Sequence, residues 1–287
     1  MKINHHYGES YDRNLLDFLL SIGFAKEDLL EEYSRLIVFD IYDDDERLPL
    51  IKEKYPDWKP IVSWYVFSDK EMEAADWFTL RSRNWKLEPV DLNKTFDFGN
   101  CTWIVEQDKE DPYRYYHAQQ VAPYILSRQV KWGRTQFLSA YTGEIQGLFC
   151  SDLARSVIEN AGLKGCSFSP VLRYRKGTEM PDVNQLVFEN IIPDDCVMMY
   201  RSTGTWHCPV CGKAQYLVDS LSRPVIKLQA LGDEDFYSTT NNHSTDPRMY
   251  AGAFYIVSKR VYSVLKKHQL TRSLEFFPLL TYYESES

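Results

Sequence analysis

Long apolar runs, basic clusters and the common catalytic motifs are all missing from this sequence of 287 residues. No run of about 18 apolar residues occurs, so we expect no membrane-spanning helix. No lysine- or arginine-rich stretch occurs, which argues against a nucleic-acid partner. The Walker A, G-x-G-x-x-G and G-x-S-x-G patterns are absent as well. These absences leave proteins that act by binding, and enzymes with an unfamiliar site.

Cysteine is also scarce, with six residues in the whole chain. That number is too small for a disulfide scaffold in a chain of this length. The first residues, MKINHHYGES, lack the apolar centre of a secretory signal. We therefore expect reduced thiols and a cytoplasmic location.

Apolar and acidic residues, in contrast, are plentiful. Hydrophobic residues make up 44% of the chain and aromatic residues 15%, which is enough for a sizeable core and leaves aromatic rings over for protein contacts. The formal net charge is −8. An acidic surface of this kind suits a basic partner, because opposite charges steer the encounter.

The N-terminal part is predicted to be helical. Leu15, Leu16 and Leu19 fall on one face of a helical pattern across residues 12–36, interrupted at Gly23. The acidic stretch DIYDDDERLP then predicts a solvated turn, with a surface for a basic partner as the alternative. YPDWKP, with two prolines, is typical of a linker or a rigid turn. We therefore predict an N-terminal helical segment at 1–58 and an α+β domain at 59–287.

Three further stretches carry local predictions. IVSWYVF, residues 61–67, is rich in β-branched and aromatic residues and predicts a strand. Ser68 and Glu71 then have the spacing of a capping box at a helix start. The polar stretch at 232–252, GDEDFYSTTNNHSTDPRMYAG, predicts a long surface loop suited to binding.

An internal similarity links residues 151–174 with residues 258–283. Ser151 aligns with Ser258, and after a one-residue insertion Pro170 aligns with Pro278. In both segments an apolar strand leads to a serine N-cap, a helix, and an aromatic strand that contains proline. The predicted fold class is therefore α+β, with a mixed sheet built from two similar strand–helix–strand units. Chance similarity is the alternative, because a helix followed by a strand is common.

The stretch CPVCG contains the strongest chemical pattern. Its C-x-x-C-G spacing lets the thiolates of Cys208 and Cys211 converge, and the glycine permits a tight turn behind them. A closed zinc site needs two more ligands. Candidates are His207, Cys101, Cys196 and His243. A turn without metal is the alternative. A redox pair is disfavoured because the following GKAQYLVD predicts a strand, and a zinc deaminase because Pro209 lies between the cysteines.

Together with CPVCG, the stretch FSDKEMEAADWFTLRSRNWKLEP and the paired helices that lead into F-x-P strands resemble a known family. Across residues 64–283 the chain resembles the bacterial double-CxxCG proteins, a group similar to immunity proteins of polymorphic-toxin systems. The family pattern has two C-x-x-C-G pairs. Cys208 and Cys211 match the second pair, whereas the first is degenerate, with Cys101 present and Ile104 in the partner position. The resemblance implies a zinc site of these three cysteines plus a histidine or water, or loss of the metal.

The resemblance also implies a function without catalysis. We expect a cytoplasmic immunity protein that binds and neutralises a bacterial toxin, with a basic toxin domain as the candidate partner. No carboxylate pair stands out for acid–base work, and His117 and His268 lie in polar surroundings typical of solvated histidines. We assign no catalytic residue and no cofactor beyond the structural zinc left open above. An enzyme with an unrecognised site and a zinc-stapled scaffold are the alternatives.

Overall fold

Two units make up the fold in this computed structural model, Met1–Glu73 and Ala74–Ser287. Both combine helices with strands, so the predicted α+β class is confirmed. No helix within the described ranges is long and apolar enough to cross a bilayer. The structure describes residues 1–29, 36–83, 85–97, 102–104, 113–115, 119–140, 147–208, 212, 214–240, 243–244 and 252–283.

An antiparallel three-stranded sheet with the order β2–β1–β3 forms the first unit. Its elements are β1 (Lys2–Ser10), α1 (Arg13–Ser21), β2 (Leu36–Tyr42), α2 (Arg47–Lys54), β3 (Val62–Val66) and α3 (Asp69–Ala74). Alternate residues of β2, namely Ile37, Phe39 and Ile41, are buried in one core with residues of α1 and α2. Helix α1 starts where the Asp12 carboxylate accepts the backbone N–H groups of the first turn.

The predicted helical segment at 1–58 is helical at α1 and α2 but not throughout, because the residues before and after α1 pair as strands β1 and β2. The predicted boundary near residue 58 is not seen either. Trp58 packs against the core of the first unit, and its ring centroid lies 5.1 Å from that of Tyr7. YPDWKP is therefore a loop inside the unit. The strand at 61–67 and the capping box are confirmed, since Glu71 N donates to Ser68 Oγ at 3.3 Å and Ser68 N donates to Glu71 Oε2 at 2.9 Å.

The second unit contains two larger sheets, β10–β13–β14–β12–β11–β5 and β15–β20–β22–β4–β23, and several smaller ones. Its helices are α4 (Leu92–Thr95), α5 (Asp152–Asn160) and α6 (Lys259–Lys267). Its strands are β4 (Trp77–Ser82), β5 (Trp85–Leu87), β6 (Phe96–Asp97), β7 (Thr102–Ile104), β8 (Tyr113–Tyr115), β9 (Gln119–Gln120), β10 (Ile125–Leu126), β11 (Phe137–Ala140), β12 (Leu148–Cys150), β13 (Cys166–Arg173), β14 (Glu179–Phe188), β15 (Asn190–Ile192), β16 (Val197–Tyr200), β17 (Gly204–His207), β18 (Ala214–Leu217), β19 (Arg223–Lys227), β20 (Phe236–Thr239), β21 (His243–Ser244), β22 (Tyr255–Ser258), β23 (Leu274–Pro278) and β24 (Leu280–Tyr282).

The two segments of the internal similarity form β12–α5–β13 and β22–α6–β23. Both helices begin as predicted, since Ser151 Oγ accepts Ala154 N–H at 3.2 Å and Ser258 Oγ accepts Val261 N–H at 3.3 Å. In each segment the two strands flank a third, antiparallel strand, which is β14 in the first and β4 in the second. The segments therefore lie in two sheets, not in the single mixed sheet that we predicted, because each encloses its own middle strand. The duplication itself stays a prediction.

The polar stretch at 232–252 contains a buried strand, so the predicted surface loop is wrong for residues 236–239. All four residues of β20 are buried between β15 and β22. Two of their hydroxyl groups have hydrogen-bond partners: Tyr237 Oη accepts Gly232 N–H at 2.8 Å, and Thr239 Oγ1 accepts Phe254 N–H at 2.9 Å. Polar residues can be buried here because they are hydrogen-bonded. Residues 241–242 and 245–251 of this stretch lie outside the described part.

Candidate functional site

Cys208 and Gly212, the described residues of the C-x-x-C-G stretch, lie between the paired strands of a β-hairpin. β17 and β18 pair antiparallel, with His207 opposite Ala214, and Cys208 follows directly after β17. Gly212 adopts φ of 72°, a left-handed conformation that suits glycine, and its N–H donates to Cys208 O at 2.9 Å. The hairpin thus closes the tight turn that the sequence predicts behind the cysteines.

The structure describes one of the three predicted metal ligands. Cys208 is buried, with 2% of its surface exposed, whereas the neighbouring His207 is exposed. The two side chains therefore lie on opposite sides of the hairpin, as alternation along a strand requires. Cys101 and Cys211 lie outside the described residues.

The two remaining candidate ligands lie in separate strands or turns. Cys196 is half-buried and packs against the core around Val197 and Ile226. His243 is buried in β21, where its ring stacks on Phe254 at a centroid distance of 3.8 Å. Burial lowers the pKa of His243 to about 3, so the imidazole is neutral at physiological pH.

The described half of the turn fits a structural zinc site. Cys208 supplies a thiol, the group that zinc binds as a thiolate, and the left-handed Gly212 closes the turn behind it. A bound zinc would cross-link the hairpin through the thiolates of Cys208 and Cys211. Within the described ranges, no three His, Cys, Asp or Glu residues come together as a ligand group.

One pocket of about 310 Å³ lies beside β5 and β10 in the second unit. Buried Leu126 and Leu138 line it, together with charged Glu88, Arg128 and Lys131. Its described lining contains one carboxylate and no histidine or cysteine, so the pairs of titratable groups typical of acid–base sites are not found there. His268, the exposed C-cap residue of α6, is solvated as predicted, and His117 lies outside the described residues.

The first unit displays an apolar sheet face away from its helices. We call it the outer face and define it by Leu36, Val38, Tyr42, Ile61, Val62 and Trp64. Both edge strands contribute to it, and four members are substantially exposed: Ile61 (66%), Leu36 (43%), Tyr42 (41%) and Val62 (38%). Gly8 of the central strand leaves space for the remaining contacts, because a Cβ there would lie 2.6 Å from Ile61 Cδ1 and 3.2 Å from Val38 Cγ1.

Polar residues of β1 and a run of carboxylates accompany the outer face. His6 Nδ1 and Asp40 Oδ1 lie 2.8 Å apart, and Lys2 Nζ and Asp44 Oδ2 lie 2.7 Å apart. Asn4 lies between Tyr42 and Trp64 in the strand register. Its side chain is buried, and its Oδ1 has no hydrogen-bond partner within the described part of the chain.

Sequence reasoning missed the outer face. The signal was present, because IVSWYVF and LIVFDIY are each apolar on both faces of the strand, apart from Ser63 and Asp40. A strand that is apolar on both faces is usually buried on both, so pattern alone could not indicate that one of these faces is open.

Comparison with protein-family models gives no match for this chain, and comparison with curated proteins gives none. The resemblance to double-CxxCG proteins therefore stays a prediction that depends on the motifs quoted above.

Proposed function

We propose that the protein is a non-enzymatic binding module that neutralises a protein toxin, in the manner of an immunity protein. The observation that carries this proposal is the uneven distribution of charge. Residues 1–73 contain nine Lys and Arg against 17 Asp and Glu, which gives the first unit a formal net charge of −8. Residues 74–287 contain 24 of each and are formally neutral.

A charge concentrated on one unit acts as a directional field. Such a field raises the encounter rate with a partner of opposite sign and orients it before contact. The partner that fits is a basic protein domain, as the acidic composition predicts. Nucleic acid and anionic membrane surfaces carry the same sign as this unit and are not expected as partners.

Growth rescue tests the proposal directly. The product of the gene next to this chain's own gene is expressed in a bacterial host, where we expect it to arrest growth. Co-expression of this chain should restore growth, and the two purified proteins should form a stoichiometric complex. Rescue without a complex, or no rescue at all, would contradict neutralisation by binding.

Cys208, in the C-x-x-C-G turn, provides a control against a catalytic mechanism. In a binding module the turn braces the hairpin, so a Cys208→Ser variant that retains the circular dichroism spectrum of the wild type should still rescue growth. Loss of rescue in a correctly folded variant would favour the enzyme alternative, because the thiol would then take part in chemistry.

A structural scaffold stabilised by bound zinc is the second candidate function, because the Gly212 N–H donates to Cys208 O and closes the turn that holds Cys208. We propose structural zinc at Cys208 and Cys211, with Cys101 as the third ligand. Elemental analysis should find about one zinc per chain if the site is closed. A matched loss of zinc in Cys208→Ser and Cys101→Ser, with retention in Cys150→Ser, would identify the ligands. Zinc-free protein that is fully folded would remove this candidate.

A further inference from the structure

We propose that the outer face of the first unit is the docking surface for a basic protein partner. This inference rests on the proposed function and names the contact surface that the proposed function leaves open. Three independent features of the described residues support it: apolar exposure, local charge, and an unpaired buried acceptor.

The first feature is the apolar character of both edge strands. An antiparallel sheet that covers its core with one face usually presents polar residues on the other. Here Leu36 and Tyr42 on β2, Val62 on β3, and Ile61 directly before β3 are exposed instead. Grouped apolar side chains at the surface are typical of interaction sites, and aromatic residues are enriched at their centres.

The second feature is the charge that surrounds this face. Asp40 lies on the same side of β2 as Val38 and Tyr42 of the outer face. Asp43 and Asp44 follow β2 directly. Lys2 and the His6 imidazole beside them are already engaged by carboxylates. A second copy of the chain would bring two units of charge −8 together, so a basic partner is favoured over self-association.

The third feature is Asn4 at the centre of the sheet. Its Oδ1 is an acceptor without a donor in the described part of the chain, and its register neighbours are Tyr42 and Trp64. Lysine and arginine side chains carry donors only. Asn4 thus adds one buried acceptor to a face of exposed apolar side chains, which matches the donors of a basic partner.

Matched lysine substitutions test the surface by titration calorimetry with the purified product of the neighbouring gene. Ile61→Lys and Leu36→Lys place a like charge against a basic partner on either edge of the face. We expect each to weaken binding at least 30-fold. Ile191→Lys in the second unit is the control, because Ile191 is similarly exposed at 61%, and it should change affinity less than threefold.

Charge is tested separately by kinetics. Asp43→Asn with Asp44→Asn should lower the association rate constant about three- to tenfold and leave the dissociation rate nearly unchanged. The adjacent pair Asp194→Asn with Asp195→Asn in the second unit is the matched control and should leave both rates as in the wild type.

The outcomes separate this inference from the proposed function. If the wild type does not bind the neighbouring product, the proposed function fails. If the wild type binds and both lysine variants of the outer face bind equally well, the docking surface is overturned and the proposed function stands. A wild-type dimer in light scattering that Ile61→Lys dissociates would overturn the inference in favour of a second copy as occupant.

Discussion

The segments β12–α5–β13 and β22–α6–β23 have the same serine cap and a different support behind it. Ser151 Oγ donates to the neutral amide of Gln136, whereas Ser258 Oγ donates to the carboxylate of Asp235 at 2.6 Å. Asp235 is buried and also accepts from Arg260 Nη1 and from Lys164 N–H, each at 3.0 Å. The cap is thus a local feature shared by both segments, and its support is a tertiary feature that differs.

That difference shows which part of a helix start can be expected to tolerate change. A neutral hydrogen bond contributes little net stability, while a buried carboxylate must keep its partners once it is buried. We therefore expect the two segments to respond alike to core substitutions and unlike to substitutions behind the cap.

Truncation of the core residue of each helix should have the largest effect, and an equal one. Ile158 of α5 and Leu265 of α6 are each 1% exposed. Either one changed to alanine leaves a cavity and should lower the free energy of unfolding by roughly 3–4 kcal/mol. Urea denaturation measures both. A difference above about 2 kcal/mol between them would indicate that the helices are not equivalent in packing.

Removal of the side chain that accepts from the capping serine should destabilise the protein more in the second segment than in the first. Asp235→Ala leaves Arg260 and the Lys164 N–H without their acceptor and should cost about 3 kcal/mol, at the low end for a buried pair because Arg260 is 52% exposed. Gln136→Ala should cost about 1 kcal/mol. Equal values from thermal or urea unfolding would show that the carboxylate has no special role.

Removal of the capping serine itself should give a smaller difference in stability between the two segments. Ser151→Ala should cost about 1 kcal/mol, the usual value for a lost N-cap. Ser258→Ala should cost about 2 kcal/mol, because Asp235 loses one of its donors as well. In the background of Asp235→Ala, the extra cost of Ser258→Ala should disappear, which a double-mutant cycle measures.

The smallest effect on stability is expected from Cys150, the buried thiol at the start of the first segment, and only at alkaline pH. Burial raises the pKa of Cys150, while the second segment has Val257 at the aligned position. The folded state keeps this thiol neutral. Its contribution to the free energy of unfolding is therefore complete below pH 9.0, the ordinary pKa of a cysteine thiol, and is lost as the pH rises above that value. Between pH 8 and 10 the wild type should lose about 1 kcal/mol more stability than Cys150→Val. Parallel pH profiles would contradict this.

Local signals predicted the parts of the fold that depend on neighbours in sequence. The starts of α5 and α6, the strand at Val62–Val66 and the capping box at Ser68 all follow from residues within one turn or strand. Strand β1, KINHHYGES, is polar and was missed because its pairing with β2 and β3 is a tertiary contact. Likewise β20 is polar, and only its position between β15 and β22 buries it.

The same limit applies to the candidate site. The turn at Cys208 follows from C-x-x-C-G, because the glycine alone specifies the left-handed conformation. The outer face needed the register of three strands before Leu36, Tyr42 and Ile61 were seen to share one surface. Sequence patterns indicate which residues alternate, and pairing decides which of the alternating faces stays open.

The middle position of β4 in its sheet has a consequence for synthesis on the ribosome. β4 pairs on one side with β22 and on the other with β23, and both are made long after β4 has left the exit tunnel. Until then both edges of β4 offer unpaired backbone groups to any other nascent chain. We expect Trp77–Ser82 to stay unpaired during much of translation, and the sheet to close late and slowly because its contacts are non-local.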